Sequence, residues 1–304
     1  AAPAAPAPPP AATPPATPTP PPAAVQPPAP LAEPTPPDPD ANLNAVWAAS
    51  PKAAWIAGQG GLVLRWDGSA WDWVDSGTSE DLVAIWGSGP DDVWFVGHGG
   101  AFLHWNGRVI AGLAGIDADL WSVGGSGPRD VWAGAGDGRL LHLTGEQWTP
   151  VEAPMVGAVV GLWASGPGDL WACTAEAKIL HGDARGWREA FGGAEGALGP
   201  LWGSGPLDVW APVSSGEATM LHYDGQEWSS RPAPRLHALW GSGPADIWGA
   251  GDGILHWDGA AWATVDPRTP KSIAGSGPRD VWAVADHLIL HWNGESWTEV
   301  EPGF

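Results

Sequence analysis

Cysteine and basic residues are scarce in this chain. Of 304 residues only Cys173 is a cysteine, so no disulfide can form within the chain. Lys and Arg number 13 against 34 Asp and Glu, a formal charge of −21, which disfavours binding to nucleic-acid phosphates and to anionic membranes. No apolar run approaches the roughly 20 residues of a spanning helix. We therefore expect neither a nucleic-acid partner nor direct membrane insertion.

Familiar catalytic signatures are missing as well. The sequence contains no GxSxG, HExxH, P-loop or CxxC pattern. A sialidase-like hydrolase would need a tyrosine nucleophile, but the sole tyrosine, Tyr223, occupies a repeated aromatic position. Acids are plentiful, yet no pair stands out as the two carboxylates of a glycosidase. We expect a non-enzymatic protein, with a glycoside hydrolase or another propeller enzyme as the catalytic alternative.

Glycine, proline and tryptophan are abundant instead, at 44, 34 and 24 residues. Residues 1–41 are almost wholly Ala, Pro and Thr, and proline lacks the N–H that helices and sheets require. This composition predicts a disordered, polyproline-like tether. The chain does not begin with Met, so either a signal peptide was removed or the sequence was trimmed. Such tethers commonly hold a domain away from a surface, and we expect an exported protein held at the cell envelope by a signal peptide or lipid anchor upstream.

From residue 42 onward the sequence repeats itself, which decides the fold. The motif Ser-Gly-Pro-x-Asp-(Val/Leu/Ile)-Trp occurs six times, with a degenerate copy at 50–55. It ends at Trp55, Trp94, Trp132, Trp171, Trp210, Trp248 and Trp282. A second motif near Leu-His-Trp-Asp-Gly follows in every unit, and a further tryptophan usually comes after it.

Each repeat divides into four short strands, A to D, bounded by turn residues. Seven such repeats predict an all-β, seven-bladed β-propeller of four-stranded antiparallel blades. The predicted blades span approximately 43–80, 81–118, 119–157, 158–197, 198–234, 235–269 and 270–304. The order of strands and turns is similar to kelch-type blades, and SGPxDVW resembles Asp-box turns. The whole pattern resembles tryptophan-rich repeat propellers of bacterial envelope proteins, a resemblance that implies a propeller but no activity.

The repeated polar residues are expected to be structural. Six histidines share one position in successive repeats, too far apart to share an ion unless they face the central channel. We expect each to hydrogen bond to the repeated aspartate of its own blade. The tryptophan columns are expected to form the core rather than sugar-stacking platforms, for which Trp73 and Trp121 are better placed.

The connections that vary between repeats are the expected functional surface, because loops on a rigid scaffold carry recognition. These are the B–C turns and D–A connections, which together form one face, called here the loop face. Candidate ligand-binding residues are Trp73, His98, Asp137, Glu176, Glu217, Arg235, His237, Asp252 and Asp286. The acids serve either solubility or a cationic partner; calcium is possible, and no other cofactor is expected.

The function expected from this pattern is recognition by a non-enzymatic monomer. A protein partner should occupy one asymmetric site, because the variable loops do not repeat a sugar-binding set. A carbohydrate-binding, lectin-like propeller is the alternative, and it would show several equivalent sites. Protein and glycan are thus the two ligand classes that the sequence leaves open.

Overall fold

The computed structural model of the chain describes residues 38, 40–108, 110–112, 116–144, 147–154, 157–214 and 218–302. The predicted tether lies almost entirely outside them. The described residues form seven four-stranded antiparallel sheets. Within these residues, helix is limited to two 3-10 turns, Gln59–Gly61 and His98–Gly100. Among the described residues no helix is long and apolar enough to cross a membrane. The predicted seven-bladed propeller is confirmed.

Strands A to D of each blade follow in chain order. Blade 1 holds β1 (Leu43–Ser50), β2 (Ala53–Gly58), β3 (Val63–Trp66) and β4 (Trp71–Trp73). Blade 2 holds β5 (Leu82–Gly89), β6 (Asp92–Gly97), β7 (Phe102–Trp105) and β8 (Ile110–Gly112). Blade 3 holds β9 (Leu120–Gly127), β10 (Asp130–Ala135), β11 (Leu140–Thr144) and β12 (Gln147–Val151). Blade 4 holds β13 (Val159–Gly166), β14 (Asp169–Thr174), β15 (Lys178–Asp183) and β16 (Gly186–Gly192).

The remaining three blades repeat this order. Blade 5 holds β17 (Trp202–Gly205), β18 (Asp208–Val213), β19 (Thr219–Tyr223) and β20 (Trp228–Pro232). Blade 6 holds β21 (Leu236–Gly243), β22 (Asp246–Gly251), β23 (Gly253–Trp257) and β24 (Trp262–Asp266). Blade 7 holds β25 (Ser272–Gly277), β26 (Asp280–Ala285), β27 (Leu288–Trp292) and β28 (Trp297–Glu299).

The ring closes by packing, because every sheet consists of four consecutive strands. Strand β1 lies against β25 of blade 7 without pairing to it. Two hydrogen bonds cross this junction: Leu43 N donates to the Asp286 carbonyl at 2.6 Å, and Val46 N donates to Ser272 Oγ at 3.3 Å. No strand is exchanged between the first and last blades.

The hydrophobic core lies between blades. Seven clusters of buried residues each join two neighbouring blades, one for each of the seven junctions, including that between blades 7 and 1. Of the 24 tryptophans, only Trp121 is exposed. The expectation that the tryptophan columns form the core is therefore confirmed.

A tryptophan at the end of strand A packs over a glycine of the next blade. A Cβ added at Gly87 would lie 2.7 Å from the ring of Trp47. The same relation joins Trp86 to Gly125, Trp163 to Gly203, Trp202 to Gly241 and Trp240 to Gly275. Blades 3 and 7 have Gly124 and Ala274 in place of the tryptophan, and the blades that follow them carry Ala164 and Ala48 in place of the glycine. Large and small side chains thus alternate around the ring.

Candidate functional site

The repeated histidines and aspartates hydrogen bond within their own blades, as predicted. The Nε2–Oδ1 distances are 2.6 Å (His104–Asp92), 2.9 Å (His142–Asp130), 3.2 Å (His181–Asp169), 2.7 Å (His222–Asp208), 2.6 Å (His256–Asp246) and 2.7 Å (His291–Asp280). Each imidazole also lies against the strand-B tryptophan of its blade, with ring centroids 3.7 to 4.3 Å apart. These histidines are held by the blade and carry no common ligand site.

A serine of the A–B turn binds the second carboxylate oxygen. The hydroxyls of Ser126, Ser204, Ser242 and Ser276 donate to Oδ2 at 2.5 Å, and Ser88 makes the same bond to Asp92. Burial raises the pKa of Asp92, but the hydrogen bonds from His104 and Ser88 outweigh it, so this pKa lies below its usual value. The carboxylate therefore fixes the A–B turn to strand C.

Blade 1 replaces this arrangement with a cation–π contact. Ala53 and Arg65 stand where the other blades have aspartate and histidine, as the pairing of Trp55 with Arg65 shows. The guanidinium of Arg65 lies 5.7 Å from the ring centroid of Trp55 and 5.6 Å from that of Trp105 in blade 2. A cation over indole faces is stabilising, so Arg65 links the two blades.

Two acids of the loop face hold neighbouring blades together. Gly60 and Gly99 have φ of 62° and 60° in the B–C turns of blades 1 and 2. Their N–H groups each donate at 2.8 Å to a carboxylate of the next blade, Asp81 and Asp119 respectively. These two aspartates therefore have a structural role.

Two ion pairs and one hydrogen bond to a backbone carbonyl engage three of the predicted ligand-binding residues. Asp137 pairs with Arg139 at 2.7 Å, and Arg139 also reaches Asp117 at 2.8 Å. Lys271 Nζ lies 2.7 Å from Asp286 Oδ1, and this hydrogen bond holds the pKa of Asp286 below its usual value. Arg235 donates from Nη1 to the Ser214 carbonyl of blade 5 at 3.3 Å.

The other predicted residues are distributed around the ring. Trp73 is half-buried on β4, where it packs against the core between blades 1 and 7. Glu176 and Asp252 are exposed in the B–C turns of blades 4 and 6. Glu217 lies outside the described residues. The described members of the predicted set thus belong to six different blades and do not converge on one point.

Strands A of all seven blades line a central channel with a cavity volume of about 290 Å³. Its wall includes Ile85, Val123, Leu162, Leu239 and Ile273. At the loop-face end each blade contributes one residue, and these are called the mouth residues. They are Asn44, Val83, Trp121, Val160, Pro200, His237 and Lys271. Six of them share one position in the alignment of strands A, whereas Pro200 lies one residue after the equivalent Gly199 of blade 5. Five residue types among those six make the mouth asymmetric.

The polar mouth residues are bound to the scaffold. Asn44 Nδ2 donates to the Leu82 carbonyl at 3.0 Å, and His237 Nε2 donates to the Pro270 carbonyl at 2.8 Å; each bond reaches the next blade. Lys271 is paired within blade 7. The apolar mouth residues on blades 2, 3 and 4 therefore form a continuous arc of contact surface at the channel opening.

Trp121 is the centre of this arc. Its side chain is 42% exposed, and its indole lies over Gly136, where a Cβ would be 2.4 Å from Nε1. The ring centroid of His98 in blade 2 lies 5.4 Å away. His98 Nδ1 is 3.8 Å from Asp119 Oδ2, so an aromatic ring, an imidazole and a carboxylate stand together.

Comparison of the repeats marks the mouth position in the sequence, although the residue types alone do not. Trp121, His237 and Lys271 occupy one position in the alignment of strands A, the second residue after the buried start, while the flanking positions are conserved in character among the repeats. A position that differs between most repeats is where blade packing constrains the residue type least. Only the register of β9 and its neighbours shows that this position faces the channel.

Metal and thiol chemistry find no support among the described residues. No group of three His, Cys, Asp or Glu side chains is placed to hold a metal ion in the part of the chain that the structure describes. Cys173 is fully buried in β14, and burial raises the pKa of its thiol to about 12. A thiol so buried is not a nucleophile at neutral pH.

Comparison with known proteins identifies the fold and no family. No protein-family model and no curated protein match the chain. The WD40 β-propeller domain of Doa1 is similar in structure, with a TM-score of 0.69 at 12% identity over 83% of this chain and 92% of that one. YCF48 bound to D1 peptide has a TM-score of 0.68 at 15% identity, covering 83% and 93%. YCF48 from Cyanidioschyzon merolae has 0.67 at 14%, covering 84% and 97%.

At such identities the likeness shows the fold alone. It leaves the resemblance to envelope repeat proteins, to kelch blades and to Asp-box turns as predictions. It also leaves open which surface of this propeller binds, and what it binds.

Proposed function

We propose that the chain is a non-enzymatic recognition module that binds a protein partner through its loop face, with Trp121 as the anchor. The observation that carries the proposal is the asymmetric mouth, where an apolar arc of Val83, Trp121 and Val160 faces solvent. Exposed aromatic side chains beside apolar surface are the usual energetic centre of protein interfaces. An acidic surrounding surface favours a partner segment that combines apolar and basic residues.

Two further observations support a protein over a glycan. Sugar sites repeated between blades would need repeated exposed aromatics, whereas one tryptophan of 24 is exposed. A protein of the same fold, YCF48, has been solved bound to D1 peptide. Carbohydrate binding is the alternative, because Trp121 with His98 and Asp119 also has the make-up of a sugar-stacking platform.

The test uses the full chain as bait in extracts of the cells that produce it. Trp121→Ala should lose the partner that the wild-type chain captures, because the anchor is removed. Leu207→Ala is the matched control, since Leu207 is 64% exposed in the A–B turn of blade 5 on the opposite face. With the purified partner, calorimetry should show Kd weakened about 30-fold by Trp121→Ala, a hot-spot loss of about 2 kcal/mol, and unchanged by Leu207→Ala.

If Trp121→Ala bound the partner with wild-type affinity, the loop face would be excluded as the binding surface. Glycan-array binding at several sites per chain would replace the proposal with the carbohydrate alternative. The exported location and the absence of catalysis are part of the same proposal; fractionation of the producing cells and a screen of glycoside substrates test them.

A further inference from the structure

The strand-C aromatic fills the space between blades. Five blades carry a large ring at this position, namely Trp66, Trp105, Tyr223, Trp257 and Trp292. Each contacts the strand-B tryptophan of the preceding blade, with ring centroids 5.0 to 6.0 Å apart. The ring is thus a regular part of the blade junction.

Two junctions lack this ring, and they differ. Blade 3 has Leu143, which is buried and packs in the core between blades 2 and 3. Blade 4 has Gly182, and a cavity of about 170 Å³ lies there, lined by Trp132, Leu170, Gly182 and Trp187 among others. It adjoins Gly168 of the A–B turn and Gly186 of the C–D hairpin, so it belongs to the face opposite the loop face.

The walls of this cavity combine indoles with carboxylates. The rings of Trp132 and Trp187 lie edge to face, 6.0 Å apart at 73°. Asp130, Asp169 and Asp183 also line it, and each is partly exposed. Asp130 and Asp169 hydrogen bond to the histidines of their own blades, and Asp183 accepts from Arg188 at 2.8 Å. Aromatic faces and carboxylates together favour a cation that carries apolar surface.

The repeat itself indicates which ring fits. In blades 1 and 7 the indole N–H of Trp66 and Trp292 donates to a proline carbonyl of the A–B turn, Pro51 at 3.1 Å and Pro278 at 3.2 Å. The equivalent proline of blade 4 is Pro167. An indole in the cavity would therefore meet the same walls and the same kind of acceptor as the protein's own indoles.

We propose that the cavity between blades 3 and 4 binds a small aromatic amine of the tryptamine type, an indole ring that carries an ammonium group. The ring takes the place of the missing strand-C side chain, and the ammonium lies among the three carboxylates. The volume suits the ring, since an apolar cavity of about 150 Å³ admits benzene, and the ethylammonium chain extends from the cavity toward the partly exposed carboxylates. This site is independent of the partner surface at the channel mouth.

Tryptamine is the probe, measured with the full chain by calorimetry and by fluorine NMR of 5-fluorotryptamine. We expect one site per chain, with indole-3-acetate, which has the same ring and the opposite charge, at least about tenfold weaker. Gly182→Trp should abolish binding while the net charge stays the same. In that variant the Trp187 ring must move aside, because a Cβ at 182 would lie 2.7 Å from it. In blade 5 the equivalent tryptophan, Trp228, already lies beside the strand-C ring of Tyr223.

If Gly182→Trp does not fold, Gly182→Leu copies the residue of blade 3 and serves the same purpose. Asp183→Asn should weaken the binding of tryptamine and reduce the difference in affinity between tryptamine and indole-3-acetate. Undiminished tryptamine binding in a folded Gly182 variant would overturn the site. So would the absence of binding to the wild-type chain, and equal affinity for the two ligands would overturn the role of the carboxylates.

Discussion

At the scale of single residues, the junctions between blades depend on pairs of residues that are both visible in the sequence, although the sequence does not show that they are in contact. Trp47 and Gly87 are 40 positions apart and belong to different repeats, so inspection of one repeat does not relate them. The blades that deviate from the pattern indicate that the two positions are related. Blades 3 and 7 lack the tryptophan, and the blade that follows each of them lacks the glycine as well. The His–Asp pairs were predictable because both members belong to the same repeat.

Gly87→Ala should destabilise the fold, because the added methyl meets the Trp47 ring at 2.7 Å and the Asp92 carbonyl at 2.8 Å. Overpacking of this kind costs about 1–3 kcal/mol. In a Trp47→Ala background the cost should be smaller, since Trp47→Ala with Gly87→Ala reproduces the Ala274–Ala48 pair. Urea denaturation of the four proteins measures this coupling.

Gly89→Ala is the matched control, because a Cβ there has no neighbour within 4 Å. An equal cost of Gly87→Ala in both backgrounds would show that Trp47 does not set the requirement for glycine.

At the scale of the strands and turns, local chemistry carried the prediction. The C–D hairpins were recognisable from Asp-Gly and Asn-Gly pairs. In the structure Asp224 and Asp258 accept backbone N–H bonds two and three residues on, at 2.8 to 3.0 Å. Local sequence patterns do not determine which side chains contact each other across blades. The cavity beside Gly182 and the mouth of the channel were therefore not predictable from the sequence.

These turn aspartates predict a dependence of stability on pH. Backbone N–H donors, from Glu227 to Asp224 and from Ala261 to Asp258, hold both pKa values below the ordinary 3.8. A carboxyl whose folded pKa is depressed contributes stability above its unfolded pKa and loses it as the pH falls through the folded value. The free energy of unfolding should therefore lose the contribution of these turns below about pH 4.

Asp224→Asn with Asp258→Asn is the test, because Asn293 makes the same turn bonds in blade 7 at 2.9 and 3.0 Å. The double variant should fold at pH 7 and lose less stability than the wild-type chain between pH 5 and pH 3 in urea titrations. If the double variant lost as much stability as the wild-type chain between pH 5 and pH 3, these carboxyls would not contribute to the acid sensitivity.

At the scale of the whole propeller, seven buried clusters at seven junctions leave little of the repeated pattern free for another task. The six repeated histidines and aspartates bond to one another within their blades, the buried tryptophans pack between blades, and Asp81 and Asp119 join neighbouring blades. Recognition falls to positions where the repeats differ, chiefly the mouth residues and, on the other face, Gly182. The monomeric state stays a prediction.

The most direct test of this division is the free energy of unfolding of five Trp→Ala variants in guanidinium chloride. Trp55, Trp71, Trp171 and Trp282 are at most 1% exposed, and each substitution should cost about 3–5 kcal/mol. Trp121→Ala should cost about 1 kcal/mol or less, because Trp121 is 42% exposed and belongs to none of the buried clusters between blades. A loss at Trp121 equal to the other four, or small losses at all five, would contradict the account.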